Sequence, residues 1–381
     1  MLCFAAVLNA YGVGSLLYSA TDRGADFLKV VLALPGPPVA DGPAREVVQT
    51  YAADPSYRTQ FDLFHLTPLS MLASLIARQA FSWLSPVIIL FVLSGGLVLI
   101  VALALLRLTQ DVWWALCAMV SYPLIFAVDR GNLYAMVAAI TVIVALVRQK
   151  ADWAGAVLFA IAACIRPNAI ICAIPLMFLD WRFIVRCGIS SALISAISLA
   201  GANALYTEYT LSRFAAGIAR YESEYLRTSD FVAFRSSGYG ALFALGYPSK
   251  MIAAVVGLLP LVTAILLHYK RRLTFDEFTF ICMASMVLMT AGFADYHLLI
   301  FIAPLVLATN RAVAVASLLI LAPKGVWMVG EYTIQVFLNP AIMLTASIYI
   351  LFRCGHRPRY GKPTDHGLRQ SVLGQTSVKP I

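Results

Sequence analysis

Residues 83–107 form an almost entirely apolar run, WLSPVIILFVLSGGLVLIVALALLR, in which the first charged side chain is Arg107. A helix needs about 20 apolar residues to cross the hydrocarbon core of a bilayer. This run is long enough, and it would place no acidic or basic side chain deep in the lipid, where charge is costly. Residues 83–107 are therefore predicted to be a membrane-spanning helix.

The rest of the chain has the same character. Of its 381 residues, 61% are hydrophobic and 12% are charged, against about 25% charged residues in a soluble domain. A bilayer removes the need for a charged cover, because lipid is itself the apolar solvent. The fold class that follows is an all-α polytopic membrane protein with about 10–13 transmembrane helices. The remaining helices are predicted at 2–19, 112–128, 132–148, 153–165, 167–181, 187–206, 250–268, 276–292, 297–309, 312–329 and 334–352.

Two long loops separate some of these helices, at residues 20–82 and 207–249. Each loop region includes a stretch with one apolar and one polar face, at 68–78 and at 206–226. Helices with such opposed faces lie in the membrane surface. The two loops are therefore predicted to carry amphipathic helices.

The two ends of the chain are interpreted separately from the bundle. Residues 1–20 are apolar and could be a signal peptide, but they lack a basic start and many spans follow, so they are interpreted as a first helix. Residues 353–381 are polar and rich in Gly, Pro, Arg and Ser, and this tail is expected to be disordered. The chain is thus predicted to hold one transmembrane domain, 1–352.

The charge pattern predicts the orientation of the bundle. With a cytoplasmic N-terminus, the inner loops and the tail carry 15 Lys and Arg residues and 6 Asp and Glu residues, whereas the outer segments carry 13 of each. Cytoplasmic loops are normally the basic ones. The net charge of +9 is then a result of orientation and needs no nucleic-acid partner. The chain is expected in the cell's inner (plasma) membrane, with both termini cytoplasmic and both long loops outside.

Polar groups occur at four places beside apolar spans, all on the predicted outer side. Charge at such positions is costly and is a functional candidate by default. Each place also has a plainer interpretation, namely a solvated carboxylate, a turn with an internal ion pair, an arginine that extends to the headgroups, and a polar helix cap. The four are Asp26, the run Asp129-Arg130-Gly131-Asn132, Arg166 before Pro167, and the run Asp295-Tyr296-His297.

Together these groups suit one kind of chemistry. Asp26 could act as a general base on a hydroxyl acceptor. Arginine offers a planar fork to phosphate oxygens, and Arg166 lies at a helix break, where a guanidinium in a membrane protein usually lines a cavity. Arg130 could meet an anion, and His297 a phosphate or a sugar. A base, two arginines and a histidine beside an apolar groove favour an enzyme that transfers a group from a lipid phosphate to a hydroxyl.

Several of these motifs resemble glycosyltransferase family 87, which belongs to the GT-C fold class. Family members read roughly R-G-N, a helix, A-G, and then K-x-x-P before another helix. The matching motifs here are Arg130-Gly-Asn132, Trp153-Ala-Gly-Ala156 and Arg166-Pro-Asn-Ala-Ile-Ile-Cys-Ala-Ile-Pro175. Arg166 stands where the family usually has a lysine. Further likenesses are Asp26-Phe27, Asp54-Pro-Ser-Tyr57, Phe61-Asp-Leu-Phe-His-Leu-Thr-Pro68, Ser236-Ser-Gly-Tyr239 and Asp295-Tyr-His297.

The resemblance implies a GT-C-like bundle and a hexosyltransferase, often a mannosyltransferase, that uses a polyprenyl-phosphate sugar and inverts the anomeric centre. It implies that Asp26 is the base, with Asp22 as a nearby competitor. It implies donor-phosphate contacts by His297 and Arg166. Arg130 is added to that set, and Asp129, Asn132, Tyr296 and Asp295 are expected to support it.

No cofactor or metal is expected, because the sequence shows no acidic metal cluster. The seven cysteines form no C-x-x-C pair, so disulfides and structural zinc are not expected either. The expected partners are the lipid-linked sugar, a lipid or glycan acceptor, and membrane lipids, whereas the oligomeric state is left open.

Two alternatives remain at this point. A transporter or flippase of a polar or lipid-linked substrate could use the same cations for binding, without a base. Many transporters carry internal repeats, and this sequence shows none. A noncatalytic subunit of a polymer-assembly complex is the other alternative, and it would not depend on Asp26.

Overall fold

The structure is a computed structural model that describes residues 27–28, 30–31, 34, 63–84, 86–221, 236–291, 295–322, 328–330 and 332–356. The predicted first helix at 2–19, Asp22, Asp26 and nearly all of the predicted tail lie outside these residues.

The described chain is almost entirely helical. Its α-helices are α1 (Pro68–Ala80), α2 (Pro86–Thr109), α3 (Val112–Met119), α4 (Tyr122–Arg130), α5 (Leu133–Arg148), α6 (Trp153–Ile165), α7 (Ile174–Leu179), α8 (Arg182–Leu205), α9 (Leu211–Arg220), α10 (Gly238–Ala244), α11 (Lys250–Tyr269), α12 (Phe275–Met289), α13 (Ile302–Leu307), α14 (Arg311–Leu321) and α15 (Gln335–Gly355). Three 3-10 helices span Leu63–His65, Pro167–Ala173 and Asp295–Phe301. Two short antiparallel strands, β1 (Met328–Val329) and β2 (Tyr332–Thr333), form the only sheet among the described residues.

Every helix predicted from residue 83 onward coincides with an observed helical segment, which confirms the all-α polytopic fold. Two predicted helices are wrong in extent. The one at 112–128 is broken after α3, because Pro123 is accommodated only in the first turn of a new helix, α4. The one at 312–329 ends at Leu321, because Ala322 takes an extended backbone (φ −67°, ψ 142°) before Pro323.

Two helices form the centre of the bundle. Every residue of α12 from Asp276 to Leu288 is buried, and α5 buries residues on all of its faces. A helix that is hydrophobic all round belongs in the interior. α12 packs against α11, α15 and the Pro167–Ala173 3-10 helix, and α5 packs against α2, α6 and the Asp295–Phe301 3-10 helix.

The longest helices lie at the periphery. Within the described ranges, α2, α8, α11 and α15 are long and apolar enough to cross a membrane. Only 17% of the apolar window of α2 is buried against the rest of the protein. Such a surface needs lipid around it.

Exposed aromatic side chains mark the two ends of the bundle. Trp113, Trp153, Trp181 and Tyr269 are exposed at helix ends, each within two residues of a charged side chain. Trp83 is exposed where α1 turns into α2. Tryptophan and tyrosine prefer the membrane–water interface, so this distribution fits a bundle immersed in a bilayer.

One end of the bundle, here called the basic end, comprises the helix ends and loops around Arg148, Arg186, Arg272 and Arg311. Its helices are joined by a buried polar cluster. Asp276 accepts hydrogen bonds from the Thr309 N–H (2.7 Å) and hydroxyl (3.0 Å), and Glu277 accepts from the Asn310 amide (2.6 Å). These bonds tie the start of α12 to the start of α14. Two of the loops predicted to be cytoplasmic thus meet in the structure.

The opposite end, here called the loop end, comprises residues 63–84, 206–221 and 236–249. α9 rests on the Leu63–His65 3-10 helix, and its Gly217 lies so close to the Phe64 backbone that a Cβ there would clash. Below it, the Tyr209 hydroxyl donates to the Leu66 carbonyl (2.6 Å). Burial raises the pKa of Tyr209, so this hydroxyl stays a neutral donor.

A glycine on α11 allows this helix to touch α12. A Cβ on Gly257 would lie 2.8 Å from the Ser285 carbonyl oxygen and 2.9 Å from the Met289 nitrogen of α12. We expect Gly257→Ala to lower the thermal unfolding temperature in detergent, because forcing atoms into a packed contact costs about 1–3 kcal/mol. Gly188→Ala on α8 is the matched control, since its Cβ would meet open space. Equal unfolding temperatures for the two variants would contradict this packing.

Candidate functional site

Asp295 is the centre of a buried polar group near the loop end. Its side chain is fully buried, and both carboxylate oxygens accept hydrogen bonds. The Tyr122 hydroxyl donates to Oδ2 (3.3 Å) and the Ser236 backbone N–H donates to Oδ1 (3.0 Å). Asp295 therefore links α4 to the segment that precedes α10.

Ser236 extends this group to α15. Its hydroxyl donates to the Gln335 carbonyl (3.3 Å) and accepts from the Asn339 side-chain amide (2.7 Å). Ser236 and Asn339 are both completely buried. Where the second long loop returns to the bundle, it is thus held by three hydrogen bonds, one to Asp295 and two to α15.

A row of packed aromatic rings connects this group to His297. Tyr122 stacks on Phe126 (5.6 Å between ring centroids), and Phe126 stacks on Tyr296 (5.9 Å). Tyr296 in turn contacts the His297 ring (4.6 Å). Arg130, at the end of the same helix α4, is close enough for its charge to act on the Tyr122 hydroxyl. The structure therefore gathers Arg130, Asp295, Tyr296 and His297 around α4.

The turn after Arg130 is as tight as the sequence predicts. Gly131 ends α4 with a left-handed backbone (φ 67°), which glycine adopts without strain. Asn132 then caps α5, its side-chain oxygen accepting from the Ala135 N–H (3.0 Å). The Asn132 oxygen thus serves the fold. Asp129 lies in α4, and its side chain is outside what the structure describes.

Arg166 lies at a different turn of the loop end. α6 ends at Ile165, Arg166 is extended (φ −137°, ψ 95°), and Pro167 starts a 3-10 helix, as the proline predicts. The Arg166 Nε is buried without a hydrogen-bond partner in the described chain. No hydrogen bond or ion pair among those residues joins Arg166 to the Asp295 group. The two predicted phosphate contacts, Arg166 and His297, thus share no hydrogen bond or ion pair in the described chain.

An apolar cavity of about 680 Å³ lies beside Arg166. α1, α2, α5, α6 and α8 contribute its walls, and only Tyr134 and Ser198 bring polar side chains to it. Ile165 lines the cavity and directly precedes Arg166. Leu93 of α2 and Ile197 of α8 line it and are exposed, so the cavity is open to the lipid-facing side.

Asp26 is outside the described residues, but its neighbour in the chain is not. Phe27 lines the same cavity and packs edge-on against Phe81 (6.0 Å). The role of Asp26 as the base stays a prediction.

The described residues show no group of three His, Cys, Asp or Glu side chains that could hold a metal ion. Metal independence stays a prediction.

Comparison with known families identifies the chain. The family model for glycosyltransferase family 87 matches residues 61–294. That match covers more than half of the sequence and includes α1 to α12. The chain belongs to glycosyltransferase family 87. No curated protein and no solved structure gives a significant match.

Four residues of the Asp295 group were not singled out for a role by the sequence reasoning: Tyr122, Ser236, Gln335 and Asn339. Asn339 had a signal, because an amide in the middle of an apolar span needs a partner inside the protein. Tyr122 and Ser236 had none that is local, since their partner Asp295 lies 173 and 59 residues away along the chain.

The Asp295 group generates a stability prediction for the transferase. Asp295→Ala removes the acceptor of the Ser236 N–H and the Tyr122 hydroxyl, and leaving buried donors unpaired costs about 1–3 kcal/mol each. We expect a clear drop in the thermal unfolding temperature, and a smaller drop for Tyr122→Phe, which removes one donor. Tyr247→Phe, at an exposed tyrosine, is the control. An Asp295→Ala variant as stable as that control would refute the proposed link.

Proposed function

We propose that the transferase moves a hexose, with mannose as the first candidate, from a polyprenyl-phosphate sugar to a hydroxyl group of a lipid or glycan, with inversion at the anomeric carbon. Its family membership establishes a membrane glycosyltransferase. The choice of a lipid-linked donor rests on one observation, the apolar cavity that reaches the loop end beside Arg166.

The cavity suits a hydrocarbon chain in size and chemistry. A cavity of about 150 Å³ accommodates benzene, which is about 25 Å³ for each carbon atom. By that measure the 680 Å³ here holds about 25–30 carbon atoms, which is several isoprene units. A free sugar or a nucleotide would leave its hydroxyl groups unpaired against these walls.

The cations near the cavity suit the phosphate of such a donor. Arg166 keeps a buried N–H without a partner in the described chain, next to a cavity-lining residue. A guanidinium in this state can donate to a phosphate oxygen without first breaking an ion pair. His297 and Arg130 are proposed to complete the phosphate contacts from the α4 side, supported by Asp295 and Tyr296.

The proposed reaction needs one base and one leaving group. Asp26 accepts the proton of the acceptor hydroxyl, and the hydroxyl oxygen attacks the anomeric carbon from the face opposite the phosphate. The bond between that carbon and the phosphate oxygen breaks, and polyprenyl phosphate leaves with the electron pair. Attack from the opposite face inverts the anomeric centre, and no metal is required.

The proposed location is the outer face of the cell's inner membrane, with both termini in the cytoplasm. The basic loops supply the argument, since the rule for membrane orientation places them inside. The loop end, with Arg166 and His297, then faces outward.

We expect Asp26→Asn to lower sugar transfer by 10²–10⁴-fold, the usual contribution of a general base. The measurement is transfer from a polyprenyl-phosphate sugar by the purified protein in liposomes. Asp22→Asn is the matched control, since the same change is made four residues earlier and activity should stay near wild type. Wild-type transfer by Asp26→Asn would remove the proposed base. Movement of lipid-linked sugar across the liposome membrane without any transfer would support a flippase instead.

A second prediction concerns the cavity. Ala73 lines it from α1, so Ala73→Trp should occupy the space of a donor chain and raise the KM for a polyprenyl-phosphate sugar at least tenfold. Ile76→Trp places the same ring on the same helix at an exposed position outside the cavity lining, and it should leave the KM unchanged. An unchanged KM in Ala73→Trp would show that the donor chain lies elsewhere.

A further inference from the structure

Arg78 is a buried arginine that the proposed reaction does not use. It lies on α1, and 7% of its surface is exposed. Its Nε donates to the Leu34 carbonyl (3.3 Å), whereas its Nη1 is buried without a partner in the described chain. No described carboxylate lies within ion-pair distance. A buried charge without a counter-charge is costly, so the position calls for a reason.

The surroundings of Arg78 are polar along one line. Ser70, Ser74 and Arg78 follow one another at four-residue spacing, which places them on one face of α1, and all three are buried. The Ser74 hydroxyl bonds to the Tyr134 hydroxyl of α5. Tyr134 also lines the apolar cavity. Tyr134 therefore contacts both the polar face of α1 and the cavity.

Arg78 also contacts a described residue that precedes α1 in the chain. Leu34, whose carbonyl Arg78 binds, belongs to the stretch that begins at Phe27, directly after Asp26. Phe27 lines the cavity and packs on Phe81, three residues beyond Arg78. Arg78 is thus near the cavity.

We infer that Arg78 is an anion-binding residue for the phosphate of a lipid whose chain occupies the apolar cavity. The unpaired Nη1 supplies a charged donor, and the cavity supplies the place for the chain. Burial lowers the pKa of Arg78, and no carboxylate among the described residues opposes that effect, as expected for a guanidinium whose counter-ion is a ligand. That the lipid is the sugar donor rests on the proposed function, whereas the anion site itself does not.

The inference explains why arginine is present where a hydrophobic residue would fit. Replacing a buried, unpaired charge by an apolar side chain of similar length is often neutral or stabilising. Arg78→Met should therefore leave the unfolding temperature unchanged or raise it, while weakening phosphate binding. A purely structural arginine would behave in the opposite way, because the loss of its bond to Leu34 would lower the unfolding temperature.

The test is binding of two lipids that differ only in the phosphate. Native mass spectrometry of the full-length protein in detergent would compare a polyprenyl monophosphate with the polyprenol of the same chain length. Arg78→Met should weaken binding of the monophosphate by about 10–100-fold, the range for a charged hydrogen bond to phosphate, and leave polyprenol binding unchanged. Arg78→Lys should fall between, since it keeps the charge and loses the planar fork. Arg182→Met, at an exposed arginine of the basic end, should match wild type.

Competing lipids identify the source of the phosphate. If phosphatidylglycerol displaces the polyprenyl monophosphate from wild type but not from Arg78→Met, the site takes bilayer phospholipid as well. If Arg78→Met keeps the wild-type preference for the monophosphate over the alcohol, the inference is overturned. A parallel transfer assay on wild type separates the two proposals. Binding that depends on Arg78 without any sugar transfer would refute the proposed function and leave the anion site standing.

Discussion

Lipid offers no hydrogen bonds, and this constraint decides where each polar group of the transferase lies. Two buried clusters of hydrogen-bonded carboxylates join its helices. At the basic end, Asp276 and Glu277 accept from the backbone and side chains at the start of α14. Towards the loop end, Asp295 accepts from Tyr122 and Ser236. Between these two clusters α5 and α12 are almost entirely apolar. Hydrogen bonds therefore join the helices near their ends, and apolar packing joins them in the middle.

The arginines beside the cavity contrast with these satisfied carboxylates. Arg78 and Arg166 each keep a buried nitrogen without a partner in the described chain. A fold selected only for stability would have paired or removed them, because an unpaired buried donor costs free energy. Their arrangement makes sense when a ligand supplies the missing acceptors. The unpaired nitrogens of these residues then lower the stability of the ligand-free protein and raise its affinity for an anionic lipid.

Much of the fold could be predicted because membrane helices are local features. Long apolar runs predicted the helices, and Pro167 predicted the break after Arg166. The conversion of 167–173 and 295–301 to 3-10 helices could not be predicted, since it depends on what each segment packs against. The partners of Asp295 could not be predicted either, because Tyr122 lies 173 residues away from it along the chain. The sequence predicted an amphipathic helix at 68–78 in the membrane surface. Only the packing of α1 against the bundle shows that Arg78 is buried.

The lateral opening of the cavity has a consequence for how the transferase would meet the proposed lipid-linked donor. A lipid that enters between Leu93 and Ile197 arrives by diffusion in the plane of the membrane and never crosses water. The rate of donor binding then depends on the fraction of lipid molecules in the membrane that carry the sugar, and not on the bulk concentration of donor. A modest intrinsic affinity is enough in such a two-dimensional supply, because the bilayer has already gathered donor and enzyme into one thin layer. Dilution of the donor by other lipids would slow the enzyme even when the total amount of donor is unchanged.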